Sequence, residues 1–129
     1  MGIEAPAVRG VGFLAIDCAD PPALAAFWSA LLGGEVESFP DGDARLSPPG
    51  GPVLDFLRVP DAKTAKNRLH LDLDTTDLAA AVEQALALGA TTKADDVYVG
   101  SGWQVLRDPE GNEFCLLKPA TGTPSWESP

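Results

Sequence analysis

An internal duplication constrains the fold of this chain more than any other feature of the sequence. In each half, an apolar run leads to an aspartate and then to an alanine- and leucine-rich segment that ends at glycine. The two aspartates, Asp20 and Asp77, are 57 residues apart, and the two glycines, Gly33 and Gly89, are 56 apart. A repeat with that period indicates two copies of one supersecondary unit.

Each copy has the pattern of a strand, a helix and three further strands. Asp20 and Asp77 are typical N-cap residues, and Pro21 suits a first helical turn. The first helix has apolar residues at helical spacing: Leu24, Phe27, Trp28, Leu31 and Leu32. The runs EVESF, ARLS and VLDFLRV follow it, and DDVYV, GWQVLRD and EFCLLK follow the second helix; all are typical of short strands. Turn residues separate them in PDGD, SPPGGP and DPEGN.

The pattern therefore predicts an α+β fold built from tandem βαβββ modules in a single domain. The first module spans about 8–60, the second about 68–119, and the proline- and serine-containing tail 120–129 is predicted to be loose. A helix covers one face of each sheet, so the other faces also require burial. Two such sheets facing each other would form a curved half-barrel around a pocket for a small ligand, with the helices outside.

Composition excludes several classes of partner. The chain has 9 Lys and Arg against 19 Asp and Glu, a net charge of −10, which disfavours nucleic acid and anionic membrane surfaces. No apolar run is long enough to span a membrane, and the N-terminus lacks the pattern of a secretory signal. Cys18 and Cys115 are the only cysteines, which predicts reduced thiols and a cytoplasmic location.

Three segments in this order resemble the glyoxalase-like domains of the vicinal oxygen chelate superfamily, in particular the subgroup abundant in actinobacteria. They are DPPALAAFWSALLGG, KNRLHLDLDTTDLAAAVEQALALGA and GWQVLRDPEGNEFCLL. The resemblance covers roughly residues 8–119. It implies the half-barrel scaffold but no single reaction, because that superfamily includes metal-dependent enzymes and metal-free binding proteins, the latter usually dimers.

In the metal-using members, the resemblance implies four His, Glu or Gln ligands, from the first and last strand of each module. His70 matches the usual histidine, and the 57-residue offset places Phe13 at its counterpart. Cys115 stands at the position of the usual Glu, and Glu113 lies two residues before it. The counterpart of Cys115 is Phe56 if Pro60 is aligned with Pro119, or Asp55 if Gly51 is aligned with Gly111; Phe56 is preferred because the strand ends match better. Two apolar positions make a divalent metal possible but disfavoured.

The predicted ligand-binding residues are Phe13, Phe56, His70, Trp103 and Cys115. His70 is also the best single catalytic candidate, since its side chain suits proton transfer. Asp72 and Asp74 share its strand face, although alternate residues are roughly 6–7 Å apart. Cys115 has no basic neighbour in sequence that would favour a nucleophilic thiolate.

These residues favour a protein that binds a small apolar or aromatic metabolite or antibiotic, and the resemblance implies a homodimer. One alternative is a lyase- or isomerase-type enzyme that uses a non-standard divalent metal or His70 as acid and base. A second alternative is a non-catalytic protein-interaction module. The sequence leaves open whether the protein is an enzyme.

Overall fold

The structure, a computed structural model, describes residues 7–92 and 102–119. In this part of the chain the elements, in order, are β1 (Phe13–Cys18), α1 (Pro21–Leu32), β2 (Glu35–Ser38), β3 (Ala44–Ser47), β4 (Val53–Arg58), β5 (Leu71–Asp74), α2 (Leu78–Leu88), β6 (Trp103–Arg107) and β7 (Glu113–Leu117). The predicted α+β fold is confirmed. The strand predicted over DDVYV and the tail 120–129 lie outside the described residues.

The chain divides into two compact units, with the boundary between Val59 and Pro60. In the first unit a four-stranded sheet has the order β1-β4-β3-β2, with β1 parallel to β4 and the other neighbours antiparallel. In the second unit the described strands form a sheet of order β5-β7-β6, with β5 parallel to β7. Both sheets are therefore mixed, and the half-barrel around a shared pocket stays a prediction.

Helix α1 begins and ends where its flanking residues predict. The Asp20 carboxylate accepts a hydrogen bond from the Ala23 amide at 3.2 Å, and Gly33 closes the helix with a φ of 81°. Leu24, Phe27 and Trp28 are buried on the side of α1 that packs against β2, β3 and β4. Burial of each such side chain contributes about 1.5–3 kcal/mol, so this helix is the main cover of the first sheet.

Helix α2 has the same signals but buries less of its surface. Asp77 accepts from the Ala80 amide at 3.1 Å, and Gly89 ends the helix in the left-handed region with a φ of 116°. Ala85 is its one buried residue, while Leu86 and Leu88 are each 40% exposed. Neither helix in the described ranges is long and apolar enough to cross a membrane.

Strand β5 is shorter than the sequence pattern predicts. The alternation of Leu69, Leu71 and Leu73 suggests a strand from residue 68, but β5 begins at Leu71 and Leu69 is 87% exposed. The partner strand explains the difference. The pairing of β7 with β5 begins at Phe114. The carbonyl of the preceding Glu113 accepts a hydrogen bond from the side-chain amide of Asn67 at 3.5 Å instead of one from a neighbouring strand.

The DPEGN turn between β6 and β7 depends on Asp108. Its buried carboxylate accepts hydrogen bonds from the backbone amides of Glu110 and Asn112 at 2.9 and 3.0 Å, and Gly111 donates to the Asp108 carbonyl. Gly111 has a φ of 88°, which β-branched residues rarely adopt. We therefore expect Gly111→Val to lower the free energy of unfolding by about 1–3 kcal/mol in urea titrations. An unchanged transition would contradict this account of the turn.

Candidate functional site

The face of the first sheet opposite α1 carries an arginine–carboxylate pair beside aromatic rings. Arg45 on β3 and Asp55 on β4 are direct ladder partners, so their side chains leave the sheet on the same side. The parallel pairing of β1 with β4 places Phe13 next to Val53, two residues from Asp55 on that same face. Phe13 remains 52% exposed, so this face is accessible within its unit.

Arg45 is fixed by contacts on several sides. Its Nε donates to Asp55 Oδ1 at 2.6 Å and its second terminal nitrogen, Nη2, donates to Oδ2 at 3.2 Å, which makes a two-pronged pair. The hydrogen bond to Asp55 raises the pKa of Arg45 above its ordinary value. The guanidinium carbon lies 4.7 Å from the ring centre of Phe13 and 5.5 Å from that of Phe39. A planar cation is therefore held against two rings without being fully buried.

A shallow pocket of about 220 Å³ opens at this pair. It is lined by Phe39, Asp43, Ala44, Arg45, Asp55 and Leu57. Two carboxylates and one guanidinium give the lining a net negative charge. Such a lining favours a neutral or cationic ligand over an anion, and the flat guanidinium and the Phe39 ring favour a planar one.

The structure corrects the choice between Phe56 and Asp55. Phe56 is fully buried on the opposite side of β4, the side that α1 covers, so it cannot line a site with Phe13. The ladders give the physical reason, because Ala15 pairs with Asp55 in the first sheet and Asp72 pairs with Cys115 in the second. Asp55 is therefore the counterpart of Cys115, and the preference for Phe56 was wrong.

In the second unit, three potential metal ligands converge on one sheet face. Asp72 on β5 and Cys115 on β7 are direct partners in the ladder, and His70 stands immediately before β5. His70 Nδ1 lies 2.8 Å from Asp72 Oδ1. The separation of roughly 6–7 Å that strand spacing suggests applies to the backbone. The side chains of His70 and Asp72 approach each other more closely than their backbones, because His70 precedes the regular strand.

Cys115 is unsuited to act as a nucleophile in this environment. The pKa of its thiol is raised to about 11, mainly by burial and in part by the neighbouring Asp72 carboxylate. The side chain is 9% exposed. A thiol with that pKa is almost wholly protonated at neutral pH, so the thiolate that a nucleophilic mechanism requires is scarce.

Trp103 shares the face of Cys115 but not its position along the strands. It pairs with Leu117, whereas Cys115 pairs with Val105, so Trp103 lies two positions along β6 from the partner of Cys115. The indole ring is 39% exposed. Its predicted role in stacking on a ligand stays a prediction, as do the ligand-binding roles of Phe13, His70 and Cys115.

Glu113 is held by an arrangement that sequence reasoning missed. Its carboxylate is 4% exposed and accepts from Lys63 Nζ at 3.0 Å and from the Asn67 amide at 2.7 Å, and Arg107 lies 3.3 Å away. Burial acts to raise the pKa of Glu113, but the hydrogen bonds from Asn67 and Lys63 outweigh it and lower the pKa. Glu113 therefore anchors the segment that leads into β5 rather than lying free on the sheet. The basic residues in DAKTAKN were the available signal for this contact.

The family-type arrangement for a hard divalent metal fits these residues poorly. Phe13 has no donor atom, and both oxygens of Asp55 are engaged by Arg45. At the two positions in the second unit, His70 and Cys115 offer an imidazole and a thiol. Hard ions such as Mn²⁺ and Mg²⁺ prefer oxygen ligands in octahedral sets, so the donors here do not suit them.

The mixed sheets of both units and the repeated strand–helix order are those of an α+β protein with a glyoxalase-like fold. A family model of the glyoxalase-like domain matches residues 13–117. The chain therefore belongs to the glyoxalase-like domain family. No protein of curated function matches the sequence.

Several solved structures share the fold. A glyoxalase/bleomycin resistance protein/dioxygenase family enzyme from Burkholderia phytofirmans is 23% identical with a TM-score of 0.68, covering 84% of this chain and 98% of that one. A variant of the fosfomycin resistance protein FosX from Listeria monocytogenes, complexed with Mn(II) and 1S,2S-dihydroxypropylphosphonic acid, is 15% identical with a TM-score of 0.70 (88% and 92% covered). A glyoxalase/bleomycin resistance protein/dioxygenase from Nocardioides is 13% identical with a TM-score of 0.67 (98% and 93% covered). At these identities the likeness shows the fold alone.

Proposed function

We propose that the protein binds a small, planar, aromatic molecule on the open face of its first sheet. The observation that carries the proposal is the guanidinium of Arg45, held flat by Asp55 and flanked by Phe13 and Phe39 at 4.7 and 5.5 Å. Rings and guanidinium planes recognise planar molecules by stacking, and each such contact contributes about 0.5–1.5 kcal/mol beyond the area it buries. An anionic ligand is disfavoured, because Asp55 already neutralises the charge of Arg45.

The charges that line the pocket further restrict the class of ligand that it can bind. Asp55 is satisfied by Arg45, and Asp43 Oδ1 accepts from the Arg58 amide at 2.8 Å, so neither carboxylate calls for a metal. A neutral or weakly cationic heteroaromatic metabolite or antibiotic suits this lining. Such a ligand would be bound without chemistry, which agrees with a binding protein rather than with an enzyme.

The test compares 2-naphthol with decahydro-2-naphthol, which has the same skeleton without the aromatic rings. We expect 2-naphthol to shift the amide resonances of β3 and β4 in ¹H–¹⁵N spectra, and the saturated compound to shift them much less. Phe13→Ala should weaken the binding of 2-naphthol about five- to tenfold, since it removes one stacking surface. Arg45→Lys should also weaken it, because lysine keeps the charge but not the plane.

Val36→Ala is the matched control, because Val36 is a partly exposed apolar residue of the same sheet, on the other face from Arg45. It should leave the affinity unchanged. Equal shifts with both compounds, or binding that Phe13→Ala leaves intact, would overturn the proposal.

An enzyme is the second candidate, and the His70–Asp72 pair favours it. With the proton on Nδ1, His70 donates to Asp72 at 2.8 Å and keeps the lone pair of Nε2 for a substrate proton. This arrangement suits an isomerase or lyase that moves a proton next to a carbonyl group. Exchange of substrate protons with deuterated solvent, abolished by His70→Ala, would support the enzyme over the binding protein.

We also propose that the protein works in the cytoplasm as a homodimer. Cys18 and Cys115 form no disulfide in the described part of the chain, which suits a reducing compartment. Val8 and Val11 in the first unit are 79% and 80% exposed, and Leu69 in the second is 87% exposed. Contact with a second copy would bury exposed apolar side chains of this kind. Light scattering on purified protein would separate the dimer from the monomer.

A further inference from the structure

His70, Asp72 and Cys115 form a cluster with the geometry of a small metal site. One ligand atom from each residue lies within 4.8 Å of the others. Among the residues that the structure describes, this is the one group of three such side chains. Two adjacent strands fix it, because Asp72 and Cys115 are ladder partners and His70 directly precedes β5.

The identity of the donors selects the metal. A thiolate, an imidazole and a carboxylate suit Zn²⁺, which binds sulfur at about 2.3 Å and nitrogen or oxygen at about 2.0–2.2 Å. Donor atoms around a tetrahedral zinc are then separated by roughly 3.5 Å, so small side-chain rotations would close the present cluster around an ion. A sulfur ligand disfavours Mn²⁺ and Mg²⁺, the ions for which carboxylate and water ligands are preferred.

We propose that these three side chains bind one Zn²⁺ ion, with a fourth coordination position open to solvent. His70 and Asp72 are exposed while Cys115 is buried, so an ion could enter from the side of the first two residues and reach the sulfur beneath. On binding, the thiol proton passes to solvent and the thiolate bonds to the metal. A zinc ion with an open position can polarise a bound oxygen or activate water.

This site shares His70 and Cys115 with the four-position arrangement that the family resemblance implies, but differs from it in three respects. It lies within one unit, it uses Asp72, and it needs neither Phe13 nor Asp55. It does not rest on the aromatic-binding proposal for the first unit. The two proposals can fail separately, since one is read from metal binding and the other from 2-naphthol binding.

Cobalt(II) is the probe, because it takes zinc sites and reports a sulfur ligand through a thiolate-to-cobalt charge-transfer absorption. We expect the full chain, stripped with EDTA and dialysed, to bind one equivalent of Co²⁺ with that absorption. One equivalent of Zn²⁺ should displace it, and a large excess of Mg²⁺ or Mn²⁺ should not. Failure to observe a saturable charge-transfer band would overturn the proposal.

Matched variants assign the ligands. Cys115→Ser should abolish the charge-transfer band, whereas Cys18→Ala, at the other cysteine in the other unit, should retain it. His70→Ala and Asp72→Asn should each weaken Zn²⁺ binding by at least about tenfold, measured against a chromophoric chelator, and Asp74→Asn should not. His70 and Asp72 are exposed, so these two variants keep the test valid even if Cys115→Ser fails to fold. Unchanged Zn²⁺ affinity in both would contradict the proposal.

Discussion

Replacing Gly34 by alanine is expected to lower the free energy of unfolding by about 3 kcal/mol. Gly34 has a φ of 99°, in the left-handed region that favours glycine. A Cβ atom there would overlap the carbonyl oxygen of Ser47 and lie 2.8 Å from Cα of Pro48. Both neighbours are backbone atoms, so no side-chain rotation can relieve the overlap, and either the turn after α1 or the start of the loop after β3 must shift.

Gly50→Ala is the matched control for that substitution. A Cβ atom at Gly50 meets no atom within 4 Å. It should therefore change the stability by no more than about 0.5 kcal/mol, as surface substitutions usually do. Urea titrations followed by circular dichroism measure both variants, and equal midpoints would show that α1 and β3 do not approach each other as closely as the structure has them.

Replacing Glu113 by glutamine is expected to cost about 2 kcal/mol at pH 7. Glutamine keeps the shape of the side chain, but it removes the charge that accepts from Lys63 and Asn67 and faces Arg107. The segment of the second unit that leads into β5 should then be held less tightly, and limited proteolysis should cut it sooner. Glu83→Gln on the exposed surface of α2 is the control and should leave stability and cleavage unchanged.

The pH dependence distinguishes the charge of Glu113 from its shape. Its pKa in the folded protein is lowered from the ordinary value of 4.5, so the ionised form contributes stability above that pH. This contribution is lost as the pH falls through the lowered folded pKa. The difference in stability between wild type and Glu113→Gln should therefore shrink on acidification below 4.5, and a difference that stays constant would contradict the charge-based explanation.

Sequence patterns predicted the elements well because the signals are local. The N-caps Asp20 and Asp77 and the glycine stops Gly33 and Gly89 depend on nearby backbone groups only, so they can be identified without knowing the fold. Hydrophobic spacing in the first helix likewise predicted the buried side that carries Phe27 and Trp28.

The site was harder to predict, because it depends on register between strands distant in sequence. A change of one residue in the alignment of the two modules exchanges Asp55 for Phe56 and reverses every side chain on β4. The pairing of Arg45 with Asp55 was the missing signal, since two opposite charges at the centres of neighbouring short strands favour that register. The hydrogen bond between His70 and Asp72 was also missed, since strand spacing describes the backbone and not where side chains turn.

We propose that the open face of the first sheet is a stacking site whose residues do not suit a hard metal ion. Titration of the ¹⁵N-labelled protein with paramagnetic Mn²⁺ tests this proposal, because a bound Mn²⁺ ion broadens nearby amide resonances. We expect no saturable broadening at Phe13, Arg45 or Asp55, while 2-naphthol shifts those same resonances in the presence of EDTA. Stoichiometric broadening of these three resonances by Mn²⁺, with no response to 2-naphthol, would contradict the account.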